Sequence, residues 1–494
     1  MLKKIFLTFV FGFISVSAFA IPPDIEFGTG LSEGEYLKNF ESKFLQTGSY
    51  IYEPDTSAAE KIRAYSASEI VDKAVANCNL LRKDILDENI DKLEYIVKRS
   101  EYLPKLKFEL GYTKDSTDKI TASNSITSGT LPLQQQAQNS SSTSEPVGFG
   151  AGYNISFVGE YVIWSGGYYE NQARKQKYIA ELKTEITRTD RFDFQFETLK
   201  SFYDYLLTEN FVKLYRGLLD YNYENVRYVS SQINKGVEIA SAIYNAKNEL
   251  KQAQLDFENV CRDNEMARAI LNTYINEPAE SPILTKSEFF KSDKGINYTI
   301  GDLLKIGSFN RGELKQADIQ KLIAVYDEKS ARAQYYKPRF KLIGMYGYLN
   351  SDGWSLSSDD SEWKIKAVAE MPLFDGWKDS TRIQQAKMTI DKIRAERKHY
   401  ELLMQLEIRR NHRDFYTAKN EVEMMNDRVN QNVEELKIQK ANYEKGVVLY
   451  KDFLAFQKML LINRIKHCKA QYNFTMSLLN LKKSLGLNYN VEIR

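Results

Sequence analysis

His399, His412 and His467 are the three histidines of this 494-residue chain, and Cys78, Cys261 and Cys468 are its three cysteines. These six side chains are the ones best suited to hold a metal or to act as nucleophile and base. Their spacing supports neither role. A zinc hydrolase motif sets two histidines one helical turn apart around a glutamate, and a catalytic triad needs a nucleophile in a recognisable turn. Each histidine here stands alone in a helical pattern. The cysteines are odd in number and far apart, each in a helical pattern, which predicts packed thiols and not a disulfide framework. Neither a GxGxxG nor a P-loop spacing occurs. The sequence therefore predicts no catalytic residue, no metal site, no cofactor and no enzymatic activity.

The bulk properties narrow the remaining classes. Residues 1–20, MLKKIFLTFVFGFISVSAFA, have the layout of a secretory signal, with Lys3 and Lys4, an apolar core and Ala18-Phe19-Ala20 as a cleavage site. Without that segment the formal charge falls from +2 to zero, with 66 acidic residues balanced by 66 basic ones. Nothing in that balance suggests a surface built for nucleic acid. No later run of about 18 apolar residues predicts a transmembrane helix, so an exported chain of this kind is either soluble or a β-barrel.

Two stretches then stand out. NYEKGVVLYKDFLAFQ, Asn442 to Gln457, lies in the proline-free run from Leu373 to Arg494, and QINKGVEIAS, Gln232 to Ser241, lies in another from Val147 to Glu277. Gly446 and Gly236 are 210 residues apart, and the same offset pairs Trp164 with Phe374, Gly166 with Gly376, Lys235 with Lys445, Val237 with Val447 and Leu271 with Leu481. This is the signature of an internal duplication.

Each copy opens on a helical pattern, Ala67 to Ser100 and Arg311 to Tyr336, closed by a proline that starts an extended segment. Two runs with a period of two follow in each: about 104–113 and 147–158, then about 338–349 and 362–372. One face is apolar or aromatic, as in Phe340, Leu342, Tyr346 and Tyr348, and the other is partly polar. A half-buried sheet in a soluble domain would show the same period. However, Trp164, Trp354, Trp363 and Trp377, all the tryptophans of the chain, fall in or beside these runs. Such an aromatic belt at the rims of ten-residue strands is what a membrane-spanning barrel needs. Four strands cannot close a barrel, because spanning examples start at about eight, so the chain would have to oligomerise.

Each second strand leads into about 70 residues of helical pattern, roughly 100 Å at 1.5 Å per residue, far longer than a globular helix. The returning arm offers a seam at Leu454, Leu461, Ile465, Cys468, Tyr472, Met476 and Leu479.

A strand pair, a long helix, a glycine turn and a returning helix, duplicated behind a signal peptide, resemble the TolC-like outer membrane efflux proteins. NRGELKQADIQ at Asn310 to Gln320, the Tyr-x-Pro junction at Tyr336 to Pro338 and MPLFDGWKDSTRIQQAK at Met371 to Lys387 carry the resemblance. It implies a mixed α and β fold in which three chains give four strands each to a 12-stranded transmembrane β-barrel. A long periplasmic α-helical barrel continues it, built from the two internal repeats. It also implies a homotrimer in outer membrane lipid, meeting a periplasmic adaptor and an inner-membrane pump and conducting substrates passively in efflux or type I secretion. The expected organisation is a signal peptide at 1–20, an N-terminal segment at 21–65, repeat 1 at 66–278, a connecting segment at 279–309, repeat 2 at 310–488 and a tail at 489–494. A secreted or periplasmic coiled-coil scaffold without a barrel is the alternative.

Under this resemblance Gly236 and Gly446 become the turns of two helical hairpins, since glycine reaches the left-handed conformation that ends a helix. Gly236, Val237, Gly446 and Val447 are then the expected adaptor-docking tips. Tyr443 and Asp452 match family positions at the closed periplasmic mouth, where three carboxylates around one axis would attract cations. Asp452 would serve equally well as a cap of the outgoing helix. Ala242, Val448 and Ala455 stand where the family's gate bonds use charged residues, so the mouth cannot be held by the same bonds.

Overall fold

The computed structural model describes residues 64–113, 152–286, 289, 298–350 and 361–491. The chain divides into two units, Met1–Lys61 and Ile62–Arg494, and every described residue belongs to the second. The expected signal peptide, nearly all of segment 21–65 and Trp354 lie outside the described residues.

Strand β1 (Ala64–Tyr65) leads into α1 (Ala67–Asn77) and α2 (Asn79–Ser100). The sequence Ser66-Ala67-Ser68-Glu69 starts α1 with a capping box: the Glu69 N–H donates to Ser66 Oγ at 3.3 Å, and the Ser66 N–H donates to Glu69 Oε2 at 2.9 Å. The single helix expected over Ala67–Ser100 is broken at Cys78, whose backbone is extended at φ −72°, ψ 114°. The break lets α1 bury Ile70, Val71 and Ala74 in the core while α2 runs along the next long helix. Cys78 is thus at a helix junction and not within a helix.

Strands β2 (Lys105–Thr113) and β3 (Gly152–Trp164) follow, then α3 (Tyr168–Asn234) and α4 (Ala242–Tyr274). Strand β4 (Leu284–Thr285) pairs in parallel with β1. Helix α5 (Ile300–Asn310), which the sequence analysis did not anticipate, precedes α6 (Gly312–Tyr336), β5 (Arg339–Asn350), β6 (Ser361–Glu370), α7 (Lys378–Glu444) and α8 (Tyr450–Ser484). Helices α3 and α7 each contain 67 residues, about 100 Å.

β3 corrects the expected end at 158, because the strand continues through Gly-Glu-Tyr-Val-Ile-Trp to Trp164; positions 147–151 of the expected strand lie outside the described residues. The four long strands form one antiparallel sheet in the order β2-β3-β5-β6.

The helices lie in rows. Near the sheet α2 packs on α3, α3 on α6 and α6 on α7; further along, α4 packs on α3, α3 on α8 and α8 on α7. Two cores form where these rows meet. One joins Leu303, Leu314, Met404, Ile408, Phe415, Phe474, Leu478 and Leu481, and the other joins Ile70, Phe196, Leu199, Phe202, Leu271, Ile275 and Leu479. Gly307 on α5 sits so close to α7 that a Cβ there would meet Ile408 Cδ1 at 2.5 Å. The expected seam on α8 is only part of what that helix buries, and its members Ile465, Tyr472 and Met476 are half-buried. Leu454, Leu461, Cys468 and Leu479 are buried, but so are Phe453, Leu460, Phe474 and Leu478, because α8 is flanked by both α3 and α7.

Candidate functional site

Each long helix begins at a left-handed turn. Gly166 and Gly167 have φ of +67° and +89°, and Gly376 and Trp377 have +68° and +67°. A tryptophan in that region costs of order 1 kcal/mol. The turn leaves Trp377 exposed, with its ring 6.0 Å from Phe374 at the sheet end of α7. At Gly166 there is no space for a side chain, since a Cβ would lie 2.4 Å from Lys337 Cβ.

The sheet register aligns the apolar residues of all four strands. Leu106, Phe108 and Leu110 stand beside Ile155 and Phe157, which face Tyr346 and Tyr348, and Trp363 and Ile365 complete the surface. On the central strands this apolar face is the more exposed, with Phe157 49% and Tyr346 48% accessible against 1% and 7% for Ser156 and Met345 on the polar-bearing face, while on β2 and β6 both faces are exposed. At Gly347 a Cβ would meet Ile155 O at 2.6 Å and Ser156 Cβ at 2.7 Å, so β3 and β5 approach closely on that side.

A bulge between Val162 and Trp164 brings Trp164 opposite Phe340, with ring centroids 5.8 Å apart. Strict alternation would have turned Trp164 to the polar-bearing face. Trp164 and Trp363 thus stand on one face, in rows about six residues, or roughly 20 Å, apart. Lys105, Lys107, Glu160, Lys341, Lys364 and Lys366 occupy the other face, with Lys341 Nζ 3.7 Å from Glu160 Oε1.

At their far ends the helical hairpins turn on Gly236 and Gly446, both at φ +72° with open space where a Cβ would stand. The two turns share one hydrogen-bond scheme. The Gly236 N–H donates to Ile233 O and the Val237 N–H to Gln232 O; the Gly446 N–H donates to Tyr443 O and the Val447 N–H to Asn442 O, all at 2.9–3.0 Å. These paired bonds are a Schellman motif, which satisfies the last carbonyls of a helix. Val237 and Val447 point into solvent.

Tyr443 stacks on Phe453, with centroids 5.8 Å and planes 13° apart, and lies 5.4 Å from Tyr450; Tyr228 of the first hairpin reaches Tyr450 at 5.1 Å. Sequence reasoning missed Tyr228, Tyr450 and Phe453. Of the three, the 450/453 spacing of one helical turn is the visible signal. Asp452 is exposed in the first turn of α8, where the helix dipole favours a carboxylate. It is not the cap: that position belongs to Leu449, which makes no side-chain cap bond. Toward the tips, ion pairs join the hairpins from Lys451 Nζ to Glu238 Oε1 at 3.4 Å and from Lys458 Nζ to Glu249 Oε2 at 3.0 Å.

Burial pushes the Cys468 thiol up to about 12 and pushes His412 and His467 down, as expected of packed side chains. Burial, with Asp220 nearby, raises Glu224 on α3 to about 7. Its folded-state value lies above the unfolded one, so its ionisation destabilises the fold as pH rises from about 4.5 to about 7. Glu224→Gln is accordingly expected to raise the thermal midpoint at pH 8 and to leave it little changed at pH 4, as read by circular dichroism.

Residues 309–487 match the outer membrane efflux protein family. No curated protein matches the chain. Among solved structures, the CmeC outer membrane channel of Campylobacter jejuni is similar at a TM-score of 0.67 and 16% identity, covering 86% of this chain and 87% of that one. VceC, an outer membrane protein of Vibrio cholerae, gives 0.69 at 14%, covering 86% and 97%. The MtrE outer membrane channel of Neisseria gonorrhoeae gives 0.68 at 15%, covering 87% and 90%. Residues 309–487 thus carry the sequence signature of the outer membrane efflux protein family, and over most of its length the chain has the fold of these outer membrane channels.

Proposed function

We propose that three copies of this chain close a 12-stranded barrel in the outer membrane. The helices form a conduit through the periplasm, where the tips at Gly236, Val237, Gly446 and Val447 meet an adaptor. The assembly conducts substrates passively from an inner-membrane pump to the exterior, in efflux or type I secretion. The observation that carries this reading is the sheet, whose aromatic and aliphatic face is left exposed across all four strands while charge is kept to the other face. In water that arrangement forfeits the gain of burial; in lipid it is favourable.

The edges of the rows support closure by further copies. The sheet ends at β2 and β6, and the helices that adjoin those strands, α2 and α7, are also the ends of the neighbouring helical row. Exposed Leu86, Ile90, Leu93 and Val97 on α2 would meet exposed Leu402, Leu403 and Leu406 on α7 of the next copy. No helix among the described residues is long and apolar enough to cross a membrane, which leaves the sheet as the spanning element in this reading.

Fractionation tests the proposal. The protein is expected to pellet with outer membranes, resist carbonate extraction and migrate as a heat-modifiable oligomer. Recovery as a soluble monomer would favour the scaffold alternative and end the channel reading. At the mouth, Tyr443 and Asp452 are the proposed gate residues. Asp452→Ala is expected to weaken block of single-channel current by divalent cations in planar bilayers, and unchanged block would remove the carboxylate ring.

A further inference from the structure

A groove of about 580 Å³ opens along α8 on the tip side of the cores, and four cations line it: Arg428 from α7, and Lys451, Lys458 and Lys466 from α8. Its acidic lining residue is Glu249 of α4, already engaged with Lys458, while Lys451 is engaged with Glu238. Arg428 and Lys466 are exposed, and no ion pair among the described residues engages either. The groove therefore carries positive charge that its own walls do not neutralise. Between the cations lie the apolar side chains of Ala455, Met459 and Ile462, the amides of Asn225 and Asn463, and the buried ring of Tyr221, over which Lys458 Nζ sits 5.7 Å from the centroid. The volume suits a ligand of drug size.

We propose that this groove binds an organic anion with a flat apolar body and carboxylate, sulfonate or phosphate groups at its rim. The Arg428 guanidinium offers a planar fork to such an oxyanion, and Lys466 on the α8 stripe offers a mobile point charge. The body of the ligand covers Met459 and Ile462, which strengthens the charge contacts by excluding water. At about 100° per residue, Asp452, Met459 and Lys466 fall within about 40° of one another on α8, so the groove and the proposed gate carboxylate share a face. If Asp452 looks into a bore, so does the site. Every lining residue comes from one chain, however, so binding does not depend on the channel reading.

The test uses the full chain in non-ionic detergent, with carboxyfluorescein as the anionic probe and rhodamine 6G as a cationic dye of similar ring system, both followed by fluorescence anisotropy. Saturable binding is expected for carboxyfluorescein alone. It should weaken about tenfold when Arg428→Glu and Lys466→Glu are combined, and again between about 50 and 500 mM salt as the charges are screened. The milder Arg428→Gln and Lys466→Gln variants, checked for unchanged helical content, should each lose affinity in the same direction. Equal binding of both dyes, absence of saturable carboxyfluorescein binding, or affinity indifferent to all four substitutions would overturn the proposal.

Discussion

Phe157→Arg is expected to remove the heat-modifiable oligomer from the outer membrane fraction. Phe157 lies on central strand β3, between Phe108 and Tyr346, in the middle of the apolar face. Its ring is 5.2 Å from that of Phe108. If lipid covers this face, an arginine near the bilayer midplane costs about 2–4 kcal/mol per copy, and a closed ring of copies repeats that penalty around the barrel. The matched control is Glu362→Arg on the exposed polar-bearing face of β6, which should leave fractionation and heat-modifiability intact. If Phe157→Arg were as well assembled as Glu362→Arg, the apolar face would not be the lipid face, and the sheet would be an ordinary surface of a soluble scaffold. The comparison separates the two readings because both substitutions introduce the same side chain into the same sheet.

The second large effect is expected in the helical cores. Phe474 on α8 and Phe415 on α7 are both fully buried, with ring centroids 5.5 Å apart, in the cluster that also receives Leu303 from α5 and Leu314 from α6. Phe474→Ala should destabilise the helical unit by about 3–5 kcal/mol, combining lost burial with an unfilled cavity. The urea midpoint of the far-ultraviolet signal should fall without a change in slope. Phe309→Ala, at a position 78% accessible on α5, should shift the midpoint little. Similar shifts for both would mean that the cluster is not the point at which α5, α6, α7 and α8 are held together.

What could be read from the sequence follows from the local physics of each element. Two-residue alternation was legible at β2, β5 and β6, because the two faces of those strands meet different surroundings whatever the partner strand. The glycine turns were legible because a left-handed residue between two helical patterns has few alternatives to glycine, and Gly236 and Gly446 do have φ of +72°. The break at Cys78 was not legible. Asn77-Cys78-Asn79 contains neither proline nor glycine, and it is the burial of α1 in one place and of α2 in another that requires the bend. Helix α5 was missed because its burial comes from contact with α7, as at Gly307 against Ile408. The seam on α8 was drawn too narrow, since a single periodic stripe in a sequence cannot tell a helix with one neighbour from a helix with two.

The tip shows the same division within a few residues. Tyr443 and Asp452 were singled out by resemblance alone. The ring set that holds Tyr443, made with Tyr450, Phe453 and Tyr228, depends on a residue more than two hundred positions upstream.

The sequence by itself determined the kinds of the principal elements: two helices of about 70 residues, which prove to hold 67 each, their glycine ends, and strands with one apolar face. These follow from backbone preferences and from periodicity, which act within a few residues. Only the tertiary structure decided which way the sheet presents that face. It also decided that a bulge swings Trp164 onto it and that cations from two helices converge on one groove. Each of these depends on register between segments far apart in the chain. Register is set by the simultaneous packing of all of them, and no local pattern encodes it.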